Sequence, residues 1–132
     1  MAETLHFDLV APDKRLFSAD VEMVVVPGSE GDMGILPGHA FLVANLRPGV
    51  LYVHDKDTVI KRIYVGGGFV EVGPQGCTVL ADVAFDLGEV SRGDIEQQLA
   101  VLEKTLTTSN EAQYQQIEAR IAQKKALLAS MS

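Results

Sequence analysis

Val26-Pro-Gly-Ser-Glu-Gly-Asp-Met-Gly-Ile-Leu-Pro-Gly-His-Ala40 gathers four glycines, two prolines and two carboxylates into one short segment. Each Pro-Gly pair suits a type II turn. Pro27 and Pro37 fix φ at the second position, and Gly28 and Gly38 supply the positive φ required at the third. Gly31 and Gly34 let the intervening backbone fold back or approach another surface closely, leaving Glu30 and Asp32 outward. The segment reads as a compact surface loop made for contact. No nucleophile or base stands beside its carboxylates.

On either side of it the chain runs in short β-rich bursts: Leu5-His-Phe-Asp-Leu9, Val21-Glu-Met-Val-Val-Val26, Val50-Leu-Tyr-Val-His54, Ile60-Lys-Arg-Ile-Tyr-Val65 and Cys77-Thr-Val-Leu80. Turn signals separate them at Ala11-Pro12-Asp13, Pro48-Gly49, His54-Asp-Lys-Asp57 and Gly73-Pro-Gln-Gly76. Short strands at such intervals, with no helical segment between them, indicate an antiparallel sandwich or barrel. Aromatics are few and Trp is absent, so the core rests on Val, Ile and Leu, with Phe7, Phe17, Phe41 and Phe69 as expected anchors. Cys77, the only cysteine, rules out an intramolecular disulfide and reads as a buried strand residue in a reducing compartment.

After Gly88 the period changes. Ser91 and Asp94 form a pair resembling a capping box, and Ile95, Leu99, Leu102 and Leu106 follow along one helical face. Thr107-Thr-Ser-Asn110 breaks that helix, and Thr108 with Glu111 is the expected cap of a second. There Tyr114, Ile117, Ile121 and Leu128 mark an apolar stripe, and Ala119, Ala122, Ala126 and Ala129 a small-residue stripe. The reading is therefore a β unit over residues 1–86 followed by a two-helix antiparallel hairpin over 87–132. Such a hairpin has little to cover its faces, and isolated helices of this length are marginal in water.

Charge narrows the function. Residues 1–88 hold twelve acidic and six basic side chains, and 89–132 hold six and five, within a net charge of −7. Scattered cations on an acidic chain argue against nucleic acid as a partner. No apolar run approaches the roughly 20 residues needed to cross a bilayer, and the N-terminus lacks the features of a signal peptide, so membrane association is expected only through protein partners. His6, His39 and His54 lack metal-ligand spacing, and Gly66-Gly-Gly68 lacks the Gly-Lys-Ser/Thr ending of a phosphate loop. Ser29 and Ser91 have no neighbouring base. No catalytic residue, metal or cofactor is expected, and the three glycines read as a bulge or a close backbone contact.

Gly28 to Ala40 closely resembles the characteristic loop of the epsilon subunit of bacterial F-type ATP synthases. Ile63-Tyr-Val-Gly-Gly-Gly-Phe-Val-Glu-Val72 and Thr78-Val-Leu-Ala-Asp-Val-Ala84 are similar to that family's later strand blocks, in the same order. The resemblance is strong over residues 1 to about 86 and is one of pattern beyond. It implies an N-terminal antiparallel β-sandwich of about ten short strands that binds the gamma subunit and rests on the c-ring, coupling proton-driven rotation to the shaft without catalysing a reaction itself. It implies Ser29, Glu30, Gly31 and Asp32 as the ring contact, because the family's ring loops include a basic residue, and His39 as a gamma or stalk contact. The resemblance makes the helical tail either a regulatory arm toward the alpha and beta subunits, with Arg120, Lys124 and Lys125 as its basic contacts, or, on the residues alone, a permanently packed structural hairpin. The implied location is the cytoplasmic face of the bacterial inner membrane.

The tail departs from the family at one place. Where many members carry an Ile/Leu-Asp-x-x-Arg-Ala element associated with ATP sensing, this chain reads Val90-Ser-Arg-Gly-Asp-Ile95. Asp94 in place of arginine reverses the charge presented to a phosphate, so nucleotide binding by that route is expected to be lost. Two other classes remain as alternatives, a β-sandwich ligand-binding module and a small metal-dependent hydrolase. The scarcity of aromatics weighs against a stacking sugar site.

Overall fold

The structure is a computed structural model that describes residues 3–131. Ten strands are present among the described residues: β1 (Leu5–Ala11), β2 (Lys14–Val21), β3 (Met23–Gly28), β4 (Gly31–Ile35), β5 (Leu42–Leu46), β6 (Gly49–Asp55), β7 (Thr58–Val65), β8 (Gly68–Gly73), β9 (Gly76–Ala81) and β10 (Ala84–Asp86). Two helices follow, α1 (Arg92–Leu106) and α2 (Glu111–Ser130). By its contacts the chain divides into two compact units, Met1–Gly88 and Glu89–Ser132.

The first unit is one curled sheet in the order β10-β7-β6-β3-β5-β8-β9-β1-β2, with β4 beside β3. It bends at β3. One edge of that strand pairs with β4 from Val24 to Gly28, whereas the other pairs with β6 at Met23–Val25 and with β5 only at Gly28↔Leu46. Changing partner midway turns the sheet back on itself and produces the sandwich. Period-two alternation supplies the filling: Phe7, Leu9, Val24, Val26, Leu51, Val53, Val70 and Val79 are fully buried. Not every pair is antiparallel, because β1 and β9 run parallel from His6↔Gly76 to Val10↔Leu80.

Short turns fit their residues. The β6–β7 hairpin turns on Lys56 and Asp57, both at positive φ (52° and 63°), the pattern of a type I′ turn. Gly67 and Gly68 also take positive φ, and a Cβ on Gly68 would stand 2.1 Å from the Leu80 carbonyl oxygen. The close backbone contact read from the triple glycine is therefore present between β8 and β9. Cys77 is buried in β9, and burial pushes its thiol up to about 12, so it remains protonated and unreactive.

Two of the expected aromatic anchors are not in the core. Phe7 is buried and packs against half-buried Phe17 with ring centroids 5.9 Å apart. Phe41 is 85% exposed and Phe69 is 40% exposed. The pleat explains the second: Val70 and Val72 take the inward positions of β8, which sends Phe69 and Glu71 outward.

In the second unit Ser91 caps α1, accepting from the Asp94 amide. The cap of α2 is Asn110, which accepts from the Gln113 amide at 2.9 Å, and not Thr108. The hydroxyls of Thr107, Thr108 and Ser109 instead donate back to the carbonyls of Lys104, Thr105 and Leu106. They close α1 and leave Asn110 to open α2. The antiparallel pairing is fixed at the far end by Arg92, whose Nη1 donates to the Leu128 carbonyl at 3.4 Å. Only Ile95, Ile121 and Leu127 are buried among the described helical residues. Tyr114 and three of the four stripe alanines are exposed, so the helical stripe lies nearer Leu127 than the expected Leu128.

Candidate functional site

The glycine-rich segment is mostly a hairpin. Val24, Val26 and Ile35 are buried and draw its arms into β3 and β4, and Gly28↔Gly31 closes it over a two-residue tip, Ser29 and Glu30. Pro27 sits in β3 opposite Asp32, which removes the first expected type II turn. Gly31 takes the positive φ (138°) that had been expected of Gly28. Gly28 has its own constraint, since a Cβ there would lie 2.5 Å from the Gly31 carbonyl oxygen. The second turn keeps its expected feature: Gly38 has φ 77°.

Ser29, Glu30, Gly31 and Asp32 are therefore brought together on one exposed tip. That tip is anchored to the strand behind it. The Ser29 amide donates to the Asn45 carbonyl (2.9 Å), and the Arg47 amide to that of Pro27 (2.9 Å). Arg47 then reaches across the tip, donating through Nη1 to the Gly28 carbonyl and through Nη2 to Asp32 Oδ1 at 2.5 Å. Sequence reasoning missed this residue, since its partners lie 15 and 19 positions away. Glu30 makes no hydrogen bond or ion pair among the described residues.

A shallow depression of about 440 Å3 runs from Ser29, Glu30 and Met33 to Val43 and Asn45 on β5. It leads onto an outward apolar face that was also missed. Val43 is 69% exposed, Phe69 lies cross-strand from Asn45, and the Phe41 ring lies over Gly73, where a Cβ would meet it at 3.2 Å. Alternation against buried Val70 and Val72 was the signal for Phe69. His39 does not line the depression. It is half-buried in the connection after β4, with Nδ1 donating to the Ala40 carbonyl at 2.7 Å.

On the outer face of β1 and β2, His6 Nδ1 lies 2.9 Å from Asp20 Oδ1, and Nε2 lies 3.3 Å from both Ser18 Oγ and Asp8 Oδ2. The Asp20 hydrogen bond raises the His6 pKa, with the Asp8 charge assisting and desolvation opposing. Asp8 is held below the usual carboxylate range, first by the Ser18 hydroxyl and against desolvation. Among the described residues no group of three His, Cys, Asp or Glu side chains is placed to hold a metal ion. Nor is any described helix long and apolar enough to cross a membrane.

In the helical unit, Arg120 and Lys124 line a groove of about 660 Å3 with Asp94, Gln98, Val101 and Gln123. Lys125 is exposed and outside it. Asp94 therefore shares a cleft with the two cations, so an acid stands among the groups that would meet a phosphate.

A sequence profile of the ATP synthase delta/epsilon chain β-sandwich domain matches residues 4–86. The ATP synthase epsilon chain of Rhodospirillum rubrum is 46% identical over 127 residues, covering 96% of this chain and 92% of the relative. That of Parvibaculum lavamentivorans is 48% identical over 104 residues, 79% of each. A chain in a cryo-EM structure of the Euglena gracilis mitochondrial ATP synthase superimposes with a TM-score of 0.71 at 25% identity, covering 98% of this chain and 82% of that one.

Proposed function

The chain belongs to the ATP synthase delta/epsilon family, and from that premise we propose that it is a noncatalytic rotor subunit, seated between the gamma shaft and the c-ring on the cytoplasmic face of the bacterial inner membrane. Its work is mechanical. Passing the rotation of the ring to the shaft asks this subunit to grip both, and two different surfaces are available for that. The apolar outward face of Phe41, Val43 and Phe69 suits gamma, because large exposed apolar groups on a small sheet mark a surface that a partner covers. The acidic tip at Ser29–Asp32 suits a ring loop carrying a basic side chain. His39, between the two surfaces in sequence, is the proposed stalk contact nearest Phe41.

The observation that carries this reading is the joining of a pinned acidic tip to an exposed apolar face through one shared depression. Independent folding of the sandwich, and a regulatory role for the helical unit toward alpha and beta through Arg120, Lys124 and Lys125, belong to the same proposal. The test is to titrate the full chain back into synthase depleted of it. Val43→Asp should abolish capture by gamma at concentrations where the unaltered chain binds, while thermal unfolding stays cooperative. Normal capture of a folded Val43→Asp chain would remove gamma from this face.

A further inference from the structure

Asp32 is the carboxylate a sequence reader pairs with Glu30, yet the two are not equivalent in the fold. Asp32 is already engaged by Arg47, whose guanidinium also takes the Gly28 carbonyl at the end of β3. Gly28 and Asp32 flank the two ends of the tip, and one planar fork holds both. A lysine has no such geometry, because its ammonium is a single point on a flexible stem. Arg47 itself is seated by its own amide on Pro27, at the start of the β5–β6 connection. Gly49 lies tight beneath, where a Cβ would come within 3.0 Å of Pro27 Cβ. The tip therefore rests on a three-point mount: the Ser29 amide, the Arg47 amide and the Arg47 fork.

We infer that Arg47 is the positioning residue of the tip, fixing its geometry and cancelling the charge of Asp32, so that Glu30 is the one carboxylate presented to the ring. This rests on the reading of the tip as the ring contact. It changes what the contact is: a single oriented negative charge meeting a basic side chain, not a diffuse acidic loop. Single-charge recognition makes orientation matter, because one misplaced carboxylate has no neighbour to substitute for it.

Two measurements test it on the full-length chain. Amide exchange at Ser29 reports the mount directly, and the concentration that half-restores proton-driven ATP synthesis in depleted synthase reports its use. Arg47→Gln should speed Ser29 exchange and raise the half-restoring concentration, each by roughly two- to fivefold, the span open to an exposed ion pair. Asp32→Asn should do no more, and the double variant should match the larger single effect, since both remove one contact. Arg47→Lys should rescue only in part. A merely structural loss would leave salt dependence alone, whereas Arg47→Gln frees the Asp32 charge and should steepen it; Glu30→Gln should flatten it. Unchanged Ser29 exchange in Arg47→Gln, additive effects of Arg47→Gln and Asp32→Asn, or unaltered salt dependence would overturn the inference. Glu30→Gln separates the two claims. If it restores synthesis like the unaltered chain while Arg47→Gln still loosens Ser29, the ring contact falls and the positioning role stands.

Discussion

The sheet unit and the helical unit solve the same problem unequally. In the sheet, strands from both ends of the unit, β1 and β9, β3 and β6, contribute fully buried side chains to one cluster, so each strand is held by contacts distant in sequence. The hairpin of α1 and α2 has Ile95, Ile121 and Leu127 buried, with Leu99, Leu102, Leu106 and Ile117 only half-buried. Its caps, Ser91 and Asn110, each satisfy one orphan amide and contribute about 1 kcal/mol apiece. A short helix gains most of its stability from tertiary packing and little from propensity. Stiffness therefore resides where the proposed grip lies, and the tail has little to hold it when separated.

The largest effect follows from cutting between the units. A fragment ending at Gly88 should unfold cooperatively, while an isolated fragment of 89–132 should lose most of its helical circular dichroism. Gly88 is a better end than Asp86. The Leu87 amide donates to the Arg62 carbonyl at 2.9 Å, and the Gly88 amide to Asp86 Oδ1 at 2.9 Å. Asp86 also receives Lys61 Nζ at 2.7 Å, so this strand end is fastened to β7. Ending the chain at Asp86 should therefore lower the unfolding midpoint relative to the longer fragment. A sheet fragment without a cooperative transition, or a fully helical isolated tail, would break the contrast.

How much of this was legible depends on where the information resides. Alternation exposed β1, β3, β6, β7 and β9, because their inward residues are Val, Ile, Leu and Phe7. The strands β2 and β4 were hidden: Lys14-Arg-Leu-Phe-Ser-Ala-Asp-Val21 pairs along an edge with few inward apolar groups, and Gly31-Asp-Met-Gly-Ile35 looks like loop until β3 is set against it. Phe41 and Phe69 were misplaced because aromatic identity was allowed to outweigh the pleat. At Asn110 the competing partners were backbone carbonyls of α1, which no local motif counts. The acidic tip was visible as composition, but its electrostatics were not, since neutralising Asp32 required an arginine brought in by the β3–β5 junction. Contacts set by topology are invisible to spacing.

A smaller effect distinguishes the exposed edge of the sheet from its core. His6 has a raised folded pKa, so its contribution is fully present below its ordinary value of 6.5 and is lost as pH rises through the raised value. Asp8 runs the other way. Its depressed pKa contributes stability above the ordinary 3.8, lost as pH falls through the lowered value. The β1–β2 edge should thus be firmest on the mildly acidic side of neutrality, between those limits. Unfolding midpoints from about pH 5 to about pH 9 should decline on the alkaline side, and His6→Gln should flatten that decline, while weakening the acid limb through the part of the Asp8 depression that His6 supplies. An unchanged slope in His6→Gln would show that the cluster is not linked to folding.

The smallest expected effect is none, and it tests whether the tail's groove is a nucleotide site. Arg120 and Lys124 line that groove beside Asp94, an acid at the position where the resembled ATP-sensing element would place its arginine. A triphosphate entering it would bring its own negative charge against a carboxylate that no described side chain neutralises with a hydrogen bond, and the bidentate guanidinium contact that recognises phosphate is missing at that position. Calorimetric titration of the full chain with ATP and magnesium should give no saturable heat at millimolar concentration, which corresponds to binding weaker than about −4 kcal/mol. Asp94→Arg replaces repulsion with a guanidinium and should create measurable affinity if the groove otherwise has the right shape. Saturable binding to the unaltered chain, lost on changing Arg120 or Lys124, would make the helical unit a ligand-stabilised element. The contrast with the sheet would then hold only in the absence of nucleotide, because a ligand that binds the folded hairpin alone stabilises it in proportion to its occupancy.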